Sequence, residues 1–105
     1  MEEFKKFDGG KTRYDLVPPK IIQGIAEVLT FGANKYGANN WKSVDDPERY
    51  VGALYRHLEA YRRGEFIDPE SGFSHLEHAS TNLAFLIELG HESTNWSKEW
   101  KQKLI

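Results

Sequence analysis

The 105-residue sequence contains no cysteine. Disulfide bonds, thiolate metal ligands and thiol nucleophiles are therefore excluded, and a metal site would have to use histidine, aspartate or glutamate. An excess of charge is lacking too, because fourteen basic and sixteen acidic residues give a formal net charge of -2. We accordingly expect no general attraction to nucleic acid or to an anionic membrane.

Long apolar runs are also absent. No stretch approaches the length of a membrane span, and the N-terminal MEEFKKFDGG has no apolar signal-peptide core, so we expect a cytoplasmic protein. With 39% hydrophobic and 29% charged residues, the composition is that of one soluble globular domain. A core built from so short a chain is small, which favours a homo-oligomer, either a dimer or a larger assembly.

Apolar residues recur at helical spacing in three segments, and no strand pattern or repeat competes with them. The predicted helices cover residues 19–36, about 47–63 and 74–90. Helix starts are indicated by Pro19, by Asp45 or Asp46, and by Ser71 or Ser74, and glycines follow each helix. We therefore predict an all-α fold, a small helical bundle.

The remaining segments flank this bundle. Residues 1–17 are predicted to form an extended N-terminal arm, residues 18–90 the helical core, and residues 91–105 a short amphipathic C-terminal helix or tail. In the last segment Trp96, Trp100 and Leu104 are four residues apart, a spacing that suits packing on the core or an oligomer contact.

The third helix carries an unusual polar group at its start. At about 100 degrees per residue, His75, His78 and Asn82 fall in one sector, which continues into Phe85 and Leu89. A side that is polar in its first half and apolar in its second suits a helix that lines a pocket at one end and enters a core at the other. A solvated polar first turn is the alternative.

Other candidate ligands lie close to these histidines in the sequence. His57 lies at the edge of the apolar stripe of the second helix, whose Arg56, Arg62 and Arg63 point away, and Glu65 and Asp68 occupy the following loop. Imidazoles with carboxylates suit Mn²⁺, Fe²⁺, Zn²⁺ or Co²⁺, whereas Mg²⁺ prefers oxygen ligands. His57 could instead be a hydrogen-bonded histidine at the edge of the core.

A second group of polar and aromatic residues lies upstream. KTRYD supplies Lys11, Arg13 and Asp15, and KYGANNW supplies Lys35, Tyr36, Asn39, Asn40 and Trp41. Cationic side chains neutralise phosphate, asparagine can bind a base edge, and aromatic rings stack on bases. Nucleotide contact is one interpretation, and an ordinary polar arm and turn is the other.

The segments KTRYDLVPP, FGANKYGANNW and RHLEAYRRGEFIDPESGFSHLEHASTN together resemble a phage and bacterial family, the dATP/dGTP diphosphohydrolase N-terminal domain, over roughly residues 10–90. The resemblance implies hydrolysis of a purine deoxynucleoside triphosphate to monophosphate and pyrophosphate, in the host cytoplasm if the protein is phage-encoded. More distantly, the family is similar to MazG-like all-α pyrophosphohydrolases, which bind Mg²⁺ or Mn²⁺ through carboxylates; here histidines replace them.

On this basis we expect a metal-dependent nucleotide hydrolase. His57, Asp68, His75 and His78 would bind the metal, whether Mn²⁺, Mg²⁺, Co²⁺ or Zn²⁺. Glu65 would be the general base, and Asn82 would orient a ligand or water. The substrate would be bound by the upstream group, namely Lys11, Arg13, Asp15, Lys35, Tyr36, Asn40 and Trp41. The alternatives are a non-catalytic nucleotide-binding or sequestering protein, an HD-like phosphohydrolase, and a small helical interaction module.

Overall fold

The computed structural model describes residues 3–5 and 9–91. It contains three α-helices, which are α1 (Pro19–Tyr36), α2 (Glu48–Arg62) and α3 (His75–Glu88). No strand forms in this part of the chain, where a single isolated bridge joins Ile67 and Ser74. The all-α prediction is confirmed.

The segments before α1 and after α3 were predicted to form an arm and a short helix. The segment predicted to be an arm contains a short 3-10 turn at Tyr14–Leu16, closed by a 3.2 Å hydrogen bond from the Val17 amide to the Tyr14 carbonyl. The predicted C-terminal helix with Trp96, Trp100 and Leu104 lies outside the described residues. The division into arm, core and tail stays a prediction.

The helix ends follow from their local chemistry. Helix α1 has the predicted bounds and is followed by Gly37, whose φ of 97° suits glycine alone. Helix α3 starts with a capping box, in which Ser74 and Glu77 each accept the other's backbone amide. Helix α2 follows Pro47, which already has helical backbone angles, and the Asp46 carboxylate accepts the Glu48 amide at 3.0 Å, so that an aspartate caps this helix as predicted.

Helix α3 packs against both α2 and α1. It approaches α1 closely at Gly24, where a Cβ atom would lie 2.9 Å from Cγ of Glu77. The buried hydrophobic residues of the described part are Val28, Ala60 and Ala79, one from each helix. Small residues therefore allow the helices to approach one another, and the core is small.

The third helix buries polar residues and exposes large apolar ones. His75, Thr81 and Asn82 are buried, whereas Leu76 and Leu83 are each 46% exposed and Ile87 is 65% exposed. These apolar residues lie on a side of α3 that α2 and α1 leave exposed. None of the described helices has the length and apolar character that crossing a membrane requires.

Candidate functional site

A cleft of about 1150 Å³ opens along the second half of α1, the segment that follows it, and the facing sides of α2 and α3. It is lined by the predicted ligands His57, Asp68, His75 and His78. From the predicted substrate-binding residues it includes Lys35, Tyr36, Asn40 and Trp41. The structure thus brings members of both groups of candidates, which are separate in the sequence, to one cavity.

The loop of residues 64–74 is folded back by its own backbone hydrogen bonds. The Asp68 amide donates to the Phe73 carbonyl at 2.8 Å, and the His75 amide donates to the Phe66 carbonyl at 2.9 Å. This pairing holds the loop carboxylates beside the first turn of α3. A loop without periodicity was predicted here, and its glycine, serine and proline content suits such a turn.

His75 lies at the centre of a hydrogen-bonded chain of three side chains. Its Nε2 is 2.8 Å from Oε1 of Glu65, and its Nδ1 is 2.8 Å from Nδ1 of His57. A carboxylate only accepts hydrogen bonds, so Nε2 of His75 carries the proton, and in a neutral ring Nδ1 accepts one from His57. The predicted general base Glu65 therefore meets the imidazoles through His75, and it does not line the cleft.

His78 is held by a second series of hydrogen bonds. Its Nε2 lies 2.6 Å from the hydroxyl oxygen of Ser71 and 3.3 Å from Oδ2 of Asp68. The Ser71 hydroxyl donates to Asp68 at 3.0 Å, so that it accepts from His78. The His78 ring also stacks on that of His57, with centroids 4.5 Å apart and planes 5° from parallel. Each of the two series of hydrogen bonds ends in a carboxylate that fixes the orientation of an imidazole.

The surroundings set the charge of these groups. Burial lowers the pKa of His57, and the neighbouring His78 and His75 lower it further. Burial likewise lowers the pKa of His78, against the opposing effect of Asp68. Burial by itself would raise the pKa of Asp68, but hydrogen bonds from Ser71 and the Glu70 amide hold it below the ordinary value. At neutral pH His57 and His78 are therefore neutral and Asp68 is ionised.

Neutral imidazoles and an ionised carboxylate are the donor types that a divalent transition metal takes. A histidine ligand commonly donates its other ring nitrogen to a carboxylate, as His75 does to Glu65. The donor chemistry therefore fits a metal ion. In the described residues, however, the donors are hydrogen-bonded to one another, and no group of three or more is arranged as a coordination shell.

In the upstream part of the cleft, side chains make ion-pair and aromatic contacts. Lys35 pairs with Glu70 at 3.0 Å, and its Nζ lies 5.2 Å from the centroid of the Tyr36 ring. Trp41 stacks on Phe85 with centroids 4.6 Å apart, and its carbonyl accepts the Tyr50 hydroxyl at 2.7 Å. Tyr36 is 64% exposed. A flat ligand could therefore reach the rings of this wall.

Several predicted residues are not brought to the cleft. Lys11, Arg13 and Asp15 are exposed, and Arg13 pairs with Asp15 at 2.8 Å. Asn82 is buried, and its amide nitrogen donates to the His78 carbonyl at 2.9 Å, within its own helix. The fourth histidine, His91, lies elsewhere and contacts Glu48 at 3.0 Å.

Sequence reasoning missed other residues of the site. Ser71 was considered only as a helix cap, although the spacing of Asp68 and Ser71 in a turn could have indicated a local hydrogen bond. Arg56 was predicted to point away from the packed side of α2, yet it lines the cleft together with Arg49. A helical pattern indicates which side of a helix packs but not where a cleft opens beside it, and this explains the error.

Comparison with known proteins agrees with the sequence motifs. Over 96 residues the chain is 33% identical to a protein of Salmonella phage PMBT28 named dATP/dGTP diphosphohydrolase. The match covers 90% of this chain and 33% of the phage protein, so the chain spans about a third of that relative's length. No solved structure matches. The family described as dATP/dGTP diphosphohydrolase, N-terminal, matches residues 1–100, and the chain therefore belongs to this family.

Proposed function

We propose that this chain takes part in the metal-dependent hydrolysis of dATP or dGTP to the monophosphate and pyrophosphate. The observation that carries the proposal is the group of three imidazoles and the Asp68 carboxylate on the wall of a cleft of about 1150 Å³, large enough for a nucleotide. The name of the phage relative supports the substrate class and the reaction.

His57, Asp68, His75 and His78 are the proposed metal ligands, for Mn²⁺, Co²⁺, Zn²⁺ or Mg²⁺. A divalent ion in such a site supplies Lewis-acid chemistry, namely polarisation of a phosphoryl oxygen and a lowered pKa of water. The neutral state of His57 and His78 supports this assignment, because a protonated imidazole has no lone pair to donate.

The chain's own residues would orient the reactants and accept the proton. In the reaction, the oxygen of water bonds to the α-phosphorus while the bond from that phosphorus to the bridging oxygen breaks, and pyrophosphate leaves. Glu65, whose Oε1 lies 2.8 Å from Nε2 of His75, is the proposed acceptor of the water proton, and this contact with a proposed ligand supports a position near the metal. Ser71 and Asp68 would keep His78 in one orientation.

The base would occupy the upstream part of the cleft, and the phosphates would extend from there toward the imidazoles. Tyr36 and Trp41 are the proposed stacking surfaces for the purine, Asn40 a contact to its edge, and Lys35 a phosphate contact. Exposure of Tyr36 supports this arrangement. For Lys11, Arg13 and Asp15 the fold offers no such support, because they do not line the cleft.

The test is a product assay with each deoxynucleoside and ribonucleoside triphosphate in the presence of Mn²⁺, Mg²⁺, Co²⁺ or Zn²⁺. We expect monophosphate and pyrophosphate to form from dATP or dGTP only with metal. His78→Ala should lower turnover at least a hundredfold, since it removes a ligand. His91→Ala is the matched control, because it removes an imidazole outside the cleft, and circular dichroism verifies that both variants fold.

Other outcomes separate the alternatives. A rise in melting temperature with nucleotide, but no product, would identify a non-catalytic nucleotide-binding protein. Equal turnover by His78→Ala and His91→Ala would contradict the metal assignment. The family assignment favours neither the sequestering protein nor the HD-like phosphohydrolase.

We also propose that the chain forms a homo-oligomer through the exposed side of α3. Leu76, Ser80, Leu83 and Ile87 follow one another at intervals of four, three and four residues, the spacing of a helix–helix seam. None of the four is charged, so a second copy would meet no like charge along this stripe. The large exposed apolar area supports a partner of the same kind.

A further inference from the structure

The cations that line the cleft differ in whether they have acidic partners. Three lining residues are cationic, Lys35, Arg49 and Arg56. Lys35 pairs with Glu70 at 3.0 Å and Arg49 pairs with Asp45 at 3.3 Å. Within residues 3–5 and 9–91, Arg56 has no carboxylate within ion-pair distance. Of the three, it is the cation whose charge the described residues leave without a counter-ion.

The acidic residues that line the cleft are also engaged with groups other than Arg56. Its lining carboxylates are Asp45, Asp68 and Glu70. Asp45 and Glu70 are used by the two ion pairs, and Asp68 is hydrogen-bonded to Ser71 and close to His78. Among the described residues, Arg56 is therefore the lining cation whose guanidinium an anion can bind without displacing a carboxylate. Its planar fork can bind two phosphate oxygens at once.

The Arg56 guanidinium lies close to a glycine one turn earlier in α2. A Cβ atom on Gly52 would lie 3.3 Å from Nη1 of Arg56, closer than ordinary van der Waals contact. The guanidinium thus lies against the bare backbone of its own helix. Glycine inside a helix is unfavourable relative to alanine, so Gly52 lowers the stability of α2.

We infer that Arg56 binds the phosphate groups of the ligand, and that Gly52 positions its guanidinium for this contact. Arg56 follows directly before the proposed metal ligand His57, on a neighbouring side of α2, and both line the cleft. The phosphate chain of a bound nucleotide would therefore lie between Arg56 and the imidazoles. The inference rests on the proposed function for the identity of the ligand, but phosphate binding at Arg56 can be measured without catalysis.

The experiment is calorimetric titration of the 105-residue chain with inorganic tripolyphosphate in the presence of EDTA. We expect Arg56→Ala to weaken binding about tenfold or more, because a charge-assisted contact is lost. Arg56→Lys should recover part of the affinity, since it keeps the charge but not the fork. Arg63→Ala is the matched control, as this arginine follows α2 and does not line the cleft.

Gly52→Ala tests the positioning role. Helix propensity should raise the melting temperature by roughly 4 °C, whereas displacement of the guanidinium should weaken tripolyphosphate binding several-fold. A raised melting temperature with unchanged affinity would overturn the role of Gly52.

Two results would overturn the role of Arg56, namely equal affinities for Arg56→Ala and Arg63→Ala, or no binding by the wild-type chain. The proposed function fails by a different result, the absence of product with every metal and nucleotide. A chain that binds tripolyphosphate through Arg56 but makes no product would therefore support the inference while contradicting the hydrolase.

Discussion

Helix α3 buries polar residues on one side and exposes large apolar residues on another, and both are the reverse of the usual distribution. One side buries His75, Thr81 and Asn82, while another leaves Leu83 at 46% and Ile87 at 65% exposure. Buried polar groups are informative because they are retained only when hydrogen bonds satisfy them. The buried side is where the cleft and its imidazoles lie, and the exposed side has the character of an interface. Four changes test this contrast.

The largest effect on stability is expected from His75 on the buried side, and the adjacent Leu76 on the exposed side serves as its comparison. His75→Ala should lower the free energy of unfolding by about 2 kcal/mol or more, because it leaves a cavity and removes the partner of His57 and Glu65. Leu76→Ala should cost about 1 kcal/mol or less, because this side chain is already 46% exposed. Urea unfolding followed by circular dichroism measures both, and the reverse order would contradict the contrast.

A smaller effect is expected where α3 meets α1. Gly24→Ala should destabilise the protein by about 1–3 kcal/mol, since its Cβ would lie 2.9 Å from Cγ of Glu77, and either the helices would separate or Glu77 would move out of the capping box. Gly32→Ala in the same helix is the control, because its Cβ would meet no atom within 4 Å. It should stabilise by up to about 1 kcal/mol. If both variants gained stability in urea unfolding, the close approach at Gly24 would be disproved.

The buried side of α3 should also make stability depend on pH. In the unfolded chain histidine titrates near pH 6.5, whereas burial lowers the pKa values of His57 and His78 in the folded state. Below about pH 6.5 the unfolded state therefore binds more protons, and the free energy of unfolding falls as the pH is lowered. Urea midpoints can be measured in EDTA from about pH 7.5 down to about pH 5, a range that spans the histidine pKa of the unfolded chain. They should decrease as the pH is lowered.

The double variant His57→Gln, His78→Gln should have a flatter profile than the wild type over the same pH range. An unchanged profile would show that other groups cause the dependence. EDTA is needed because a bound metal would itself lower the proton affinity of these rings.

The smallest effect on stability is expected on the exposed side. Leu83→Glu should change the free energy of unfolding of the dilute chain by no more than about 0.5 kcal/mol, as is usual at the surface. It should nevertheless abolish self-association in sedimentation velocity, because it places a charge in the proposed seam. Leu16→Glu, at an exposed apolar position outside α3, is the control. Association that survives Leu83→Glu would move the interface elsewhere.

The sequence predicted the helices and the convergence of His57, His75 and His78, because helical periodicity fixes which side chains share a side. The capping chemistry of Ser74 was also visible, since it depends on residues three apart. The contact of Ser71 with His78 was not predictable, because it depends on the path that the loop takes. The place of Arg56 at the cleft was not predictable for a related reason, because α1 and the segment after it form part of the cleft beside α2.

The paired loop of residues 64–74 has a consequence for the dynamics of the site. The Phe66 carbonyl binds the first amide of α3, and Asp68 binds the Phe73 carbonyl through its own amide. Displacement of the loop at Phe66 would therefore release the hydrogen bond of the first amide of α3. We therefore expect the loop and the start of α3, which together hold the carboxylates and imidazoles, to open as one unit in amide hydrogen exchange.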